Sequence, residues 1–424
     1  MAKNAILLSI TGPDRPGITS AITQILADSG VRLLDIEQVV TRSILSLSIL
    51  IESDHSLKKP PRDLKAGANS PGNGAAARHL LRDLLFQAHE LGLSMDFKIV
   101  RRDEALKKRP SQNYVVTCLG PSVRLPAIAK LATLLSNEKV NIQRINTIAQ
   151  KRLECIEMTL SATRPIDPRT LTRKLLHLNA EFGVDIAVQE ESLYRRAKRL
   201  IVMDMDSTLV QVEVIDELAK EAGVGERVAR ITHRAMNGEL SFPEALRERV
   251  RLLKGLPVRV LQKVYKRMPF TPGAKELIFV LKKLGYRTAV LSGGFDYFTS
   301  RVKESLGLDY AYSNNLEVID GAVTGEILGE IVDGKKKAEL MEEIARKEGI
   351  TLDQVIAIGD GANDLPMITR AGLGIAFNAK PRVREAAHYS ITQKNLDSIL
   401  YLLGITEREL GEINVKKRKN KAGL

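Results

Sequence analysis

At 424 residues the chain is too long for one ordinary hydrophobic core, and its length alone points to two or three domains. With 44% hydrophobic and 27% charged residues it has a soluble globular composition, no run approaches the roughly 20 apolar residues that cross a bilayer, and just two cysteines, Cys118 and Cys155, exclude a disulfide framework. The net charge of +13 gathers at 58–65, 101–109, 194–199 and 416–421; with no Trp and 4% aromatics these runs offer no stacking surface, so neither a specific nucleic-acid partner nor a membrane partner is expected.

The N-terminus runs straight into an alternating apolar pattern with no signal-peptide layout, which predicts a cytoplasmic protein. Residues 5–10 predict a strand, and Gly12-Pro13-Asp14-Arg15-Pro16-Gly17 a turn and a helix start. Ile18, Ile22, Ile25 and Leu26 then keep helical spacing. Extended runs follow at 31–41 and 44–51, the second with Leu45, Leu47, Ile49 and Ile51 on one face. A polar insertion at 54–75 reads as a loop; a helix carrying Leu80, Leu81, Leu84 and Leu85 and a strand at 95–100 complete the unit. The same order returns: strand 114–119, helix 125–137, strands 140–149 and 154–162, helix 171–182, strand 184–189. Each unit is a β-α-β-β-α-β layer of helices on an antiparallel sheet, so 1–103 and 112–190 read as two copies of one small ferredoxin-like α+β domain.

After Arg195-Arg196-Ala197-Lys198-Arg199 the pattern changes. Short apolar strands at 200–203, 288–291, 355–358 and 374–377 alternate with helices and end at polar or glycine-rich turns. That is an α/β domain over 199–405, a Rossmann-like parallel sheet covered by helices. Residues from about 214 to 270 read as helical throughout, enough for a cap over the sheet, and 411–424 form a basic tail.

Ligands of open parallel sheets bind beyond the carboxyl ends of the strands. Three strand ends here are polar: Asp204-Met205-Asp206-Ser207-Thr208, Ser292-Gly293-Gly294-Phe295 and Gly359-Asp360-Gly361-Ala362-Asn363-Asp364. Asp204, Asp206 and Asp360 would crowd three carboxylates, which calls for a cation, and Mg²⁺ suits hard oxygen ligands. A carboxylate serves as a covalent nucleophile in phosphoryl transfer, and an acid two residues on can protonate the leaving alkoxide and then activate water. Ser292, backbone N–H groups near Gly293 and Lys337 would bind phosphate oxygens; Asn363 would orient Lys337 or the phosphoryl group, and Asp364 would hold Lys337 or a metal-bound water.

These motifs resemble the four motifs of the haloacid dehalogenase-like phosphatase superfamily, over residues 200–400. The segments 204–210, 213–219, 236–242 and 246–250, with the Ser292 and Asp360 clusters, are similar to the phosphoserine phosphatase family within it. The resemblance implies Asp204 as nucleophile and Asp206 as general acid/base. It implies Mg²⁺ held by an Asp204 carboxylate oxygen, the Asp206 backbone carbonyl and Asp360. Glu213 and Arg247 would grip the ammonium and carboxylate of O-phosphoserine, with Arg249 the alternative to Arg247, and Met236 and Phe242 would line the lid. The implied reaction is hydrolysis of O-phosphoserine to serine and phosphate, the last step of serine biosynthesis; the alternative is a phosphatase or phosphotransferase acting on another small phosphomonoester. The N-terminal half resembles ACT domains, amino-acid-binding regulatory modules. Thr11-Gly12-Pro13-Asp14-Arg15-Pro16-Gly17-Ile18 matches their first loop, so Asp14 and Gly17 mark a possible ligand loop, whereas the second copy has Gly120-Pro121-Ser122-Val123-Arg124-Leu125-Pro126 there. A homodimer and control by an amino acid are implied, and a sensor whose catalytic half is secondary is the third reading.

Overall fold

The computed structural model describes residues 4–53, 75–105 and 112–413; the insertion expected at 54–75, up to residue 74, and the tail from 414 lie outside the described residues. The chain divides into two compact units, Met1–Pro110 and Ser111–Leu424.

In the first unit, strands β1 (Asn4–Pro13), β2 (Leu33–Thr41), β3 (Ile44–Ser53) and β4 (Ser94–Arg101) form an antiparallel sheet in the order β2-β3-β1-β4. Alternation puts Ile6, Leu8, Ile10, Leu45, Leu47, Ile49 and Ile51 on one face. Helices Ile18–Asp28 and Ala75–Glu90 seal it with Ile18, Ile22, Leu80, Leu81 and Leu84. Edge strand β2 leaves Leu33, Ile36, Val39 and Val40 exposed.

The second unit opens with the same layer: β5 (Gln112–Gly120), β6 (Val140–Gln150), β7 (Glu154–Ala162) and β8 (Asp185–Glu190) in the order β6-β7-β5-β8, under helices Leu125–Asn137 and Pro168–Phe182. The second helix starts cleanly because Asp167 caps it, accepting from the N–H groups of Arg169 and Thr170.

A seven-stranded sheet follows: β9 (Leu200–Met203), β10 (Arg287–Phe295), β11 (Tyr310–Ile319), β12 (Ala322–Leu328), β13 (Val355–Gly359), β14 (Leu373–Phe377) and β15 (Tyr389–Ile391). Their order is β12-β11-β10-β9-β13-β14-β15, parallel except for β12. Central β9 is apolar at all four positions because helices cover both faces. The hairpin β11–β12 and the three-residue β15 were not expected from sequence. The hairpin is half exposed, so its apolar pattern is broken, although Asp320-Gly321, both at positive φ, is the turn such a hairpin needs.

Four helices, Val214–Glu221, Gly225–Met236, Phe242–Arg251 and Val258–Arg267, build the cap. Ser241 and Glu244 form a capping box at the start of the third. The hairpin anchors the cap: Gly255 N donates to Val323 O at 2.7 Å and Val323 N to Leu256 O at 2.9 Å.

The sequence change at 195–199 is not a break in packing. Buried Asp185 of β8 accepts from Thr392 N, Thr392 Oγ1 and Gln393 Nε2, and Tyr389 Oη donates to Val188 O at 2.6 Å. Arg195, one of the basic run at 194–199, is buried against Glu157 and Glu191.

Candidate active site

The site lies where β9, β10 and β13 end. Asp204 follows β9 in extended conformation, its N–H bonded to Ile358 O at 2.9 Å. The chain then turns through Ser207, whose φ of 56° is a left-handed conformation that a side chain rarely adopts, a local strain typical of functional turns. The turn brings the Asp206 carboxylate back to accept Val214 N–H at 2.9 Å and Ser292 Oγ at 3.3 Å. A Cβ on Gly294 would meet Asp206 Oδ2 at 2.9 Å, so the close approach of β10 requires glycine.

Lys337 is fully buried, unlike its neighbours Lys335 and Lys336. Helix Gly334–Lys347 is capped by Asp333, and Gly334 lets it approach Asn363, whose carbonyl oxygen would stand 2.6 Å from an added Cβ. Lys337 Nζ thereby reaches Asp204 Oδ1 at 2.6 Å and Asp364 Oδ1 at 2.8 Å. Asp364 also accepts Gly361 N–H at 3.0 Å, and Thr208 Oγ1 donates to Asp360 Oδ1 at 3.2 Å.

The electrostatics follow from crowding. Burial, then the Asp364 charge, raise Asp204 well above the carboxylate range, with Lys337 opposing. Asp206 is pushed up to about 7 by burial and then by Glu213, and Asp360 to about 7 by burial, Asp364 and Glu213. Burial works to lower Lys337, but Asp204 and Asp364 together hold it above its ordinary value. One oxygen each of Asp204, Asp360 and Asp364 lie within 4.8 Å of one another. Three hard carboxylates this close, with one ammonium to offset them, fit a divalent cation of the Mg²⁺ type.

Toward the cap, Glu213 accepts from Ser207 Oγ at 2.7 Å. Phe242 lies across Gly293, where a Cβ would stand 2.8 Å from its Cζ. Met236 is further out at the rim, 63% exposed, with Lys380 Nζ 3.9 Å from its sulfur. Of the two candidate arginines on the third cap helix, Arg247 is exposed, whereas Arg249 is partly buried, donates from Nε to Ala245 O at 3.1 Å and feels Asp216, Glu213 and Asp206. The signal was present in the buried positions Ala245, Leu246 and Val250, which fix the inner face of that helix and set Arg249 beside it. Asn314 was missed because its strand was: buried, it donates to Gly293 O at 2.8 Å and accepts Val332 N–H at 2.8 Å, fixing the Gly293 peptide. In the first unit, Asp14 N donates to Ser43 O at 2.8 Å, and Gly17 caps the following helix at φ 96°.

Residues 201–369 match the haloacid dehalogenase-like hydrolase family, and 4–98 and 112–189 match ACT domain families. A phosphoserine phosphatase of Streptomyces coelicolor is 42% identical over 405 residues, 96% of this chain and 93% of its own. One from Mycobacterium tuberculosis is 40% identical over 409 residues, 96% of this chain and 95% of its own. The crystal structure of a probable phosphoserine phosphatase from Vibrio cholerae superposes with a TM-score of 0.56 at 34% identity, over 71% of this chain and 89% of that one.

Proposed function

This chain belongs to the phosphoserine phosphatases of the haloacid dehalogenase-like hydrolases, with two ACT domains ahead of the catalytic sheet, and on that premise we propose how its own residues carry the reaction. O-phosphoserine is hydrolysed to serine and phosphate through an aspartyl-phosphate on Asp204, as the last step of serine biosynthesis.

The observation that carries this reading is the buried Lys337 ammonium 2.6 Å from Asp204 and 2.8 Å from Asp364. Its charge opposes the burial and the Asp364 charge that push the Asp204 carboxyl up, and so favours the anion, the form that attacks phosphorus. The new Asp204 O–P bond forms as the serine Oγ–P bond breaks. Asp206, poised at about 7, gives its proton to the departing alkoxide, then takes one from the water that cleaves the acyl phosphate. Ser292, the Gly293 backbone, Asn363 and Lys337 receive the phosphoryl oxygens, and Asp364 positions Lys337. Asp204, the Asp206 carbonyl and Asp360 would hold Mg²⁺, which supplies charge neutralisation of the phosphoryl oxygens. Glu213 takes the substrate ammonium and Arg249 its carboxylate. Phe242 and Met236 exclude water from the cap side.

The enzyme acts in the cytoplasm as a homodimer controlled by an amino acid at the Asp14–Gly17 loop. Two unpaired buried cysteines fit a reducing compartment, and the exposed apolar edge strand β2 fits pairing with a second copy.

Acid quenching during turnover of ³²P-labelled O-phosphoserine should leave label on the peptide holding Asp204. EDTA should stop phosphate release and Mg²⁺ restore it. Turnover by Asp204→Asn, or label on another residue, would overturn the assignment.

A further inference from the structure

A second cavity, of about 450 Å³, opens between the second ACT domain and the catalytic sheet. It lies at the end of that sheet where β13 and β14 begin, away from Asp204 and Asp360 at the strand ends. Its basic lining is Arg169, from the first turn of helix Pro168–Phe182, with Arg195 and Lys198 from the connecting segment and His388 beside β15. Its acids, Asp167, Glu190 and Asp353, are exposed, and Asp167 is already occupied as the helix cap.

Lys198 is the telling member. It is 7% exposed, and its ammonium donates to a backbone carbonyl, Asp353 O, rather than to a carboxylate. The other buried cations of this unit have what Lys198 lacks: Lys337 lies between Asp204 and Asp364, and Arg195 pairs with Glu157 and Glu191. An ammonium has three N–H donors and pays heavily for losing water, so a buried one with a single carbonyl partner is underserved. Nearby, Arg195 Nε is buried with no hydrogen-bond partner among the described residues. The local field is positive as well: burial, then Arg169 and Lys198, push the His388 ring down to about 4, while burial lowers Lys198 to about 8 against the pull of Asp353. Two cations that hold a neighbouring ring neutral mark a positive potential, which an anion beside them would offset.

We propose that this cavity is an oxyanion-binding site, separate from the catalytic centre, in which Lys198 and Arg169 receive the phosphate or carboxylate group of a small molecule. Both chemistries present the same charged oxygens, and both products of the phosphatase carry one: inorganic phosphate, and the carboxylate of serine. Because the walls come from both domains, an occupant would bridge the second ACT domain to the base of the strands that carry Asp360.

Equilibrium dialysis of the full-length protein with ³²P-labelled inorganic phosphate, and separately with ¹⁴C-labelled serine, tests this. One of the two probes should bind with an equivalent beyond those at the catalytic centre and the Asp14–Gly17 loop, and Lys198→Met and Arg169→Gln should each remove it. Turnover of saturating O-phosphoserine, measured in the same variants, should remain within about twofold of the parent, since neither side chain reaches the substrate. Loss of the phosphate equivalent identifies phosphate, and loss of the serine equivalent identifies the carboxylate. Arg169 is exposed, so its replacement keeps the fold even if Lys198→Met does not. If neither probe binds outside the catalytic centre and the Asp14–Gly17 loop, or if Arg169→Gln leaves every bound equivalent of both probes in place, the site is disproved. Phosphatase activity itself stands or falls by the Asp204 experiment.

Discussion

Arg249 and Arg247 share one cap helix, yet residues two apart on an α-helix differ by about 200° in direction, so one faces inward when the other faces water. Burial presses the Arg249 guanidinium below its ordinary value against the pull of Asp216, Glu213 and Asp206, and a guanidinium still stays charged. A charged hydrogen bond to the substrate carboxylate contributes about 1.5–3 kcal/mol, or roughly 10–150-fold. Arg249→Ala should therefore raise KM for O-phosphoserine by that factor and leave KM for p-nitrophenyl phosphate, which has no carboxylate, nearly unchanged. Arg247→Ala should move neither; equal effects of Arg249→Ala on both substrates would remove it from the substrate site. Asp204, Asp206 and Asp360 were legible in the sequence because each follows an apolar strand that has no other reason to end in acids. The arginine was ambiguous because the motif holds both, and only the helix phase set by Ala245, Leu246 and Val250 separates them.

At the level of elements, the cap reaches the carboxyl end of β10 through the Phe242 ring on Gly293. The Gly293 backbone is not at positive φ, so alanine strains nothing there except the cap. Gly293→Ala places a Cβ 2.8 Å from Phe242 Cζ, nearer than packed carbons approach, and the ring or the whole cap helix must withdraw. The expected result is a fall in kcat/KM of at least about tenfold, of the size that misplacement of a positioned group brings. Phe242→Leu in the same chain should recover part of it by removing the clash, whereas a loss that Phe242→Leu leaves untouched would mean that Gly293 acts through its backbone alone. The helices and the buried strands that frame this contact were readable, because full burial writes continuous or strictly periodic apolar runs. Hairpin β11–β12 was not: it is half solvated, its inward residues are few, and Asn314, which holds the Gly293 carbonyl, is a buried polar residue in the middle of it.

Over the second unit as a whole, an ACT layer and a phosphatase sheet share one packed body, joined by an apolar cluster in which Leu119, Ile148, Leu153 and Cys155 pack with Tyr401, and by polar side chains. Asp185 binds Thr392 and Gln393, Tyr389 binds Val188, and the Nδ1 of His388 accepts Gly374 N–H at 3.0 Å. Sequence patterning gave no sign of this union, because each half reads as a complete domain and the joining groups are scattered polar and apolar residues rather than a periodic stripe. The joint makes stability depend on pH in a definable way. His388 is held down to about 4 by burial, Arg169 and Lys198, against about 6.5 in an unfolded chain. Above pH 6.5 the ring is neutral in both states and its contribution is complete. As pH falls from 6.5 toward 4 the unfolded chain binds a proton that the folded one refuses, so stability declines, and below 4 this contribution is gone. Between pH 7.5 and 5 the loss due to this one ring is roughly 2 kcal/mol. Urea unfolding at those two pH values, in phosphate-free buffer so that no oxyanion compensates the cations, should give His388→Gln a smaller drop than the parent by about that amount. An identical drop in both would mean that the ring is protonated in the folded protein, and that Arg169 and Lys198 do not set the potential at the joint.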